Sequence, residues 1–115
     1  MGTNLGQDRA EIPPGTLYML ILKTLAWLGP MHGYGIAQSI QQASEDMLQV
    51  EEGSLYPALQ RMLIKGWVAA EWGKSDNNRR ARYYRLTPLG KKQLSVELSE
   101  FERAMQAIAR VIQPA

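Results

Sequence analysis

An α+β fold, mainly helical, with the order of a winged helix-turn-helix is predicted by three observations in this 115-residue chain. An apolar-periodic helical segment opens at Gly53-Ser54-Leu55-Tyr56-Pro57, two short alternating strands follow it, and a basic loop, Lys74 to Arg82, joins those strands as a hairpin. A further helical pattern then runs to about Ile112. The arrangement divides the chain into a flexible N-terminal tail at 1–12, a winged-helix DNA-binding domain at 13–88 and a C-terminal dimerisation helix at 89–113. With 45% apolar residues, one domain with one modest core accounts for the whole length.

The elements follow from local signals. Residues 1–12 are polar, mixed in charge and aperiodic, hence the tail. Pro13-Pro14-Gly15-Thr16 announces a helix, with Thr16 placed to cap it. Leu17, Leu20, Ile21, Leu25 and Leu28 spread apolar surface over most of its circumference, so it is buried on more than one side, and Gly29-Pro30 ends it. A short second helix is expected from about Tyr34 to Gln42 on the stripe Ile36, Ala37 and Ile40. Ala43 to Val50 is a polar connector.

Ser54 to Lys65 is the best-patterned short helix: Leu55, Leu59, Met62 and Leu63 face one way, leaving Ser54, Tyr56, Gln60, Arg61 and Lys65 free to face outward. Pro57 is tolerated only near a first turn, which places the helix start close to Ser54, and Gly66 closes it. Trp67 to Trp72 and Arg82 to Thr87 alternate as half-buried strands, and Gly73 to Ala81, with Asp76-Asn77-Asn78 at its middle, supplies the turn. Such a hairpin is not stable alone and must pack on the helices before it. Thr87-Pro88 then caps a helix from Leu89. Its apolar residues Leu94, Leu98, Phe101, Met105, Ile108 and Ile112 step by four and three, the seam of helices packing lengthwise on one another. A terminal helix lying on its own domain is the competing reading. A helix of about 24 residues is roughly 36 Å long, more than this domain needs to cover itself. A homodimer through this seam is therefore expected.

Composition narrows the chemistry. The absence of cysteine excludes disulfides and thiolate-ligated zinc, and a single histidine, His32, cannot build a multi-histidine metal site; no metal or cofactor is expected. No apolar run reaches the roughly 20 residues of a bilayer span, and Met1 to Glu11 lacks the order of a secretory signal, so a cytoplasmic chain without membrane partners is expected. No nucleophile, base and oxyanion donor fall into an arrangement that would make an enzyme.

The formal net charge of +2 conceals a sharp asymmetry. Lys74 to Lys92 holds seven basic residues against one acid, Asp76, while the remainder, six basic and ten acidic, is net negative. A charge run is commonly no more than a solvated face, but this one sits on a predicted hairpin directly after a helix sized for the major groove. Sequence-specific binding of a double-stranded DNA operator is the function expected. The rival from another class is a winged helix that docks an acidic protein partner through the wing.

The order and spacing resemble the PadR family of bacterial transcriptional regulators. Gly29-Pro30-Met31-His32-Gly33-Tyr34 resembles that family's turn before its second helix, and Glu51-Glu52-Gly53-Ser54-Leu55-Tyr56-Pro57-Ala58-Leu59 is similar to the opening of its recognition helix. Lys65-Gly66-Trp67-Val68 and Tyr83-Tyr84-Arg85-Leu86-Thr87-Pro88-Leu89-Gly90 match the entry to and return from the wing. The resemblance implies a dimeric, repressor-like regulator of the short subfamily. Where the family commonly carries tryptophan in its last helix, some members shaping an effector pocket there, this chain has Phe101. That argues against a flat stacking site, while Phe101 and Met105 can still line one for an apolar small-molecule effector.

Residue roles follow, each with its alternative. Ser54 caps the third helix or donates to a phosphate. Tyr56 reaches a phosphate or base edge, or is partly buried; Pro57 shapes the helix start and can touch a thymine methyl. Gln60 and Arg61 are base or phosphate readers, with Arg61 alternatively a solubilising charge. Lys74, Arg79, Arg80 and Arg82 are candidates for phosphates or the minor groove. Tyr34 bonds the DNA backbone or belongs to the core. His32 invites a pH-switch reading, although a structural histidine in the turn is preferred. Trp67 and Trp72 are expected to fill space between strands and helices, and Trp27 to lie near the dimer contact.

Overall fold

A computed structural model describes residues 10–113. Its elements in chain order are β1 (Ala10–Glu11), α1 (Leu17–Leu28), β2 (Met31–His32), α2 (Gly33–Ala43), β3 (Leu48–Gln49), α3 (Glu52–Ile64), β4 (Val68–Lys74), β5 (Arg80–Leu86) and α4 (Pro88–Ile112). The first three helices enclose a core whose most deeply buried side chains are Ile21, Leu22, Ile36, Leu55, Leu59 and Met62. The apolar residues of α3 stand four, seven and eight positions after Leu55 and turn one stripe inward, with Ala58 buried beside them.

A three-stranded antiparallel sheet in the order β2-β5-β4 covers one side of that core through Val68 and Tyr84. The expected two-stranded hairpin is therefore extended by β2, in which Met31 pairs with Tyr84 and His32 with Tyr83. This third strand supplies part of the packing an isolated hairpin lacks. The hairpin strands are longer than expected and the turn is shorter. Lys74, Arg80 and Arg82 lie on paired strands, leaving Ser75 to Arg79 as the tip.

Four further expectations are corrected. Residues 1–9 of the predicted tail lie outside the described residues, but Ala10–Glu11 pairs in parallel with β3, Ala10 N donating to Met47 O at 2.6 Å, and Ile12 packs on the core. Thr16 occupies the N-cap position of α1, yet its hydroxyl donates to the Pro13 carbonyl at 2.7 Å instead of accepting from the helix. Helix α3 starts at Glu52, ahead of the predicted Ser54 start, with Glu51 as its N-cap. Pro57 accordingly stands in the second turn, where its missing N–H leaves the exposed Gly53 carbonyl to water, a tolerable loss while Leu55, Ala58 and Leu59 hold the helix down. Finally, Leu94 is only 8% exposed and belongs to the chain's own core, not to an intermolecular seam.

The entry to α4 is the most tightly built junction. Thr87 Oγ1 accepts from Gly90 N at 3.0 Å and donates to the Gly66 carbonyl at 2.6 Å, while Thr87 N donates to the Trp67 carbonyl at 3.1 Å. Gly66 takes a φ of +77°, a left-handed exit from α3 that glycine adopts without strain. Gly90 rests directly on the Trp67 backbone, with no room for a side chain. The first turns of α4 thereby lie on α1, whereas every residue from Leu98 to Gln113 is exposed. About 21 Å of helix, counted from Leu98 to Ile112, runs clear of its own domain.

Candidate nucleic-acid interface

The outward face of α3 sits between two grooves. On the wing side, a groove of about 640 Å³ is lined by the start of α2, by Tyr56 and by the hairpin, including His32, Tyr34, Gln38, Arg79, Arg80 and Arg82. On the α1 side, a second groove of about 450 Å³ collects Ser54, Pro57 and Arg61 with Gly15, Leu17 and Tyr18. The helical wheel explains the division: Tyr56 is two residues from Ser54, about 200° round the helix, whereas Pro57 and Arg61 follow Ser54 at three and seven residues. Gln60 is exposed between the two grooves.

The predicted DNA contacts are thus partly brought together and partly separated. Tyr34, Tyr56, Arg79, Arg80 and Arg82 converge on the wing-side groove; Ser54, Pro57 and Arg61 form a separate stripe; Lys74 lines neither groove. Ser54, at the third position of α3, is not the cap: its backbone N–H donates to Glu51 O at 3.0 Å. Tyr34 is 63% exposed, which removes the core alternative. Gln38, one turn after Tyr34 on the same face of α2, was missed in the sequence, where only that four-residue spacing pointed to it.

Tyr56 packs its ring edge on the start of α2. Its ring lies so close to Gly33 that a Cβ there would stand 2.7 Å from Tyr56 Cε1. Burial chiefly, then the Glu52 carboxylate and Tyr84, push its phenol above the ordinary value of 10.0, so it remains a neutral hydrogen-bond donor under physiological conditions. His32 has a structural place. Its Nδ1 accepts from Gly35 N at 3.0 Å to cap α2, and its ring meets Tyr83 edge-on at 5.5 Å.

In the wing, alternation puts Lys74, Arg80 and Arg82 on the same face as Tyr84 and Ala70. Tip geometry is set by Ser75 N donating to Arg79 O at 2.8 Å and Asn78 N to Ser75 O at 2.9 Å, with Asn78 at a φ of 60°. Tyr83 Oη reaches across to donate to the Lys74 carbonyl at 2.7 Å. Trp67 packs edge-on against Tyr18, as expected of a space-filling residue. Trp72 does not. It is 59% exposed, with the Arg80 guanidinium 4.2 Å from its ring centroid.

Residues 21–96, about two thirds of the chain and including the whole of α2, α3 and the wing, match the sequence profile of the transcriptional regulator PadR-like family. The chain belongs to this family. An uncharacterized protein of Lysinibacillus sphaericus is 32% identical over 100 residues, which cover 87% of this chain and 91% of that one. Among solved structures, a transcriptional regulator from Clostridium thermocellum superposes with a TM-score of 0.78 at 27% identity, covering 86% of this chain and 95% of the other. A PadR family transcription regulator from Clostridium difficile matches with a TM-score of 0.72 at 28% identity, covering 86% and 100% respectively. PadR membership agrees with the winged-helix architecture and with transcription regulation as this chain's field of action. Among the described residues, no helix is long and apolar enough to cross a membrane.

Proposed function

We propose that the protein is a non-enzymatic, cytoplasmic repressor that binds an inverted-repeat operator as a homodimer. The observation that carries this is the convergence of Tyr34, Tyr56, Arg79, Arg80 and Arg82 on one groove beside the exposed face of α3. In this reading α3 enters the major groove, where Gln60 and Pro57 meet base edges, and Ser54 and Arg61 take phosphates on the flank toward α1. The wing lies along the adjacent backbone, Lys74, Arg79, Arg80 and Arg82 drawn by phosphates or by a narrow minor groove. The residues 13–88 act as the reading domain and α4 as the dimerisation element.

The second copy is supported by the exposed apolar stripe Leu98, Phe101, Met105, Ile108 and Ile112. A solvated helix has no use for such a stripe, and pairing two of them removes it from water. One winged helix contacts few base pairs; two related by a two-fold axis would read half-sites about 34–36 Å apart or a multiple of that. In this reading an apolar effector that releases the operator would bind against Phe101 and Met105, both exposed on that stripe.

Selection of bound sequences from random duplex DNA, followed by competition at physiological salt, tests the reading. The expected result is an inverted repeat whose binding weakens steeply with salt, and Arg80→Ala should reduce the slope of log K against log salt by about 0.9 for each phosphate that is no longer neutralised. Failure to distinguish the selected sequence from random duplex would remove the regulator assignment.

A further inference from the structure

On its core-facing side the wing carries Lys74, Arg80 and Arg82 within one two-stranded patch, Lys74 directly opposite Arg80 and Trp72 directly opposite Arg82. Like charges on paired strands repel, so the patch is unfavourable in the free protein unless something offsets it. Trp72 is placed to do so. It is the diagonal neighbour of Arg80, its ring lies 4.2 Å from the guanidinium, and the core that buries Tyr84 does not extend to it.

We propose that Trp72 is a positioning residue for DNA binding, a stacking platform that holds Arg80 extended across the wing and away from Lys74. The inference rests on the DNA-binding reading above. A guanidinium stacked on an indole face keeps its in-plane N–H donors free, so the stack orients Arg80 without consuming its capacity to bind phosphate. An unstacked arginine would lose rotamer freedom on binding, whereas Trp72 imposes much of that loss already in the free protein. A role in folding does not account for the residue, because an exposed tryptophan on a strand beyond the core adds little to burial.

The test is a double-mutant cycle on the full-length protein with the selected operator, using Trp72→Ala, Arg80→Ala, their combination, and Trp72→Phe. Losing the pre-ordering of one rotamer-rich side chain weakens affinity about twofold to tenfold per wing, or roughly fourfold to 100-fold for an operator gripped by two wings. Trp72→Ala should show that weakening in the parent and none in the Arg80→Ala background, and Trp72→Phe should restore most of the affinity. The melting temperature should fall by only a few degrees, the loss of one exposed stack, and the Arg80 side-chain protons of the free protein should show a ring-current shift that Trp72→Ala abolishes. Equal weakening in both backgrounds would mean that Trp72 touches DNA itself, and no weakening in either would leave it without a role; each overturns the proposal. If the parent protein discriminates no sequence while the ring-current shift is present, the DNA reading has failed and the positioning role falls with it, although the stack itself stands.

Discussion

Gly90→Ala sets two effects of opposite sign against each other. Replacing a helical glycine by alanine ordinarily stabilises by about 0.4–1 kcal/mol, through a smaller loss of backbone entropy. At Gly90, however, an added Cβ would fall onto the Trp67 carbonyl oxygen, 2.9 Å from the Trp67 carbonyl carbon and 2.8 Å from Leu86 Cδ1. Carbon atoms pack at about 3.5–4.0 Å, and the obstacle is backbone, which cannot rotate away. Helix α4 must therefore retreat by more than half an ångström. Its retreat loosens the Thr87 cap and the Thr87 hydroxyl bond to Gly66, each worth about 1 kcal/mol, on top of about 1–3 kcal/mol for the overpacking. The net expectation is a loss of about 3 kcal/mol, which at about 4 °C per kcal/mol for a chain of this length lowers the melting temperature by roughly 12 °C. Differential scanning calorimetry on the parent and variant measures it. A variant that melts with or above the parent would show that the α4 junction is slack and refute the packing argument. Because the same junction aims α4, operator affinity should fall further than the stability loss alone explains.

Gly33→Ala meets a different neighbour, the Tyr56 ring, a side chain that can turn aside where backbone cannot, so the melting temperature should shift by only a few degrees while operator affinity falls roughly tenfold as the phenol is displaced; equal affinity would remove Tyr56 from the interface. Met105→Asp puts an unpaired carboxylate into each half of the proposed seam at a cost of about 3 kcal/mol or more, so sedimentation at micromolar concentration should show the parent dimeric and the variant monomeric; a monomeric parent would refute the seam. For Tyr56 the folded state holds its proton more tightly than the unfolded chain, so its contribution to stability is fully present below the ordinary value of 10.0 and is lost as pH rises through the folded value. A phenolate absorbance titration of the parent against Tyr56→Phe checks it, and a Tyr56 signal titrating at or below 10.0 would contradict the burial assigned to it.

Residues whose role depends on their immediate neighbours in sequence are legible without the fold. Thr87 and Pro88 start α4, Gly66 ends α3, and Leu55, Leu59 and Met62 face the core, because capping, φ and helical period are properties of a few consecutive residues. The differences fall where the outcome rests on a distant partner. Strand β2 is two residues long and exists only because Tyr83 and Tyr84 of β5 are there to pair with it. Weighing Pro57 as a local breaker places the start of α3 too late, because the burial that outweighs the proline comes from α1 and α2.

Trp72 and Leu94 show the division most plainly. Alternation correctly groups Trp72 with Val68 and Ala70 on one face of its strand, and the four-three repeat correctly groups Leu94 with Leu98 on one face of the last helix. Periodicity reports which way a side chain points, and it is enough to establish the winged helix, its basic hairpin and the apolar stripe of the last helix. It cannot report how far the core extends in that direction. The core stops short of Trp72, leaving it exposed beneath Arg80, and reaches past Gly90 to enclose Leu94, and both limits are set by the assembled bulk of α1, α2 and α3 instead of by any local run of residues.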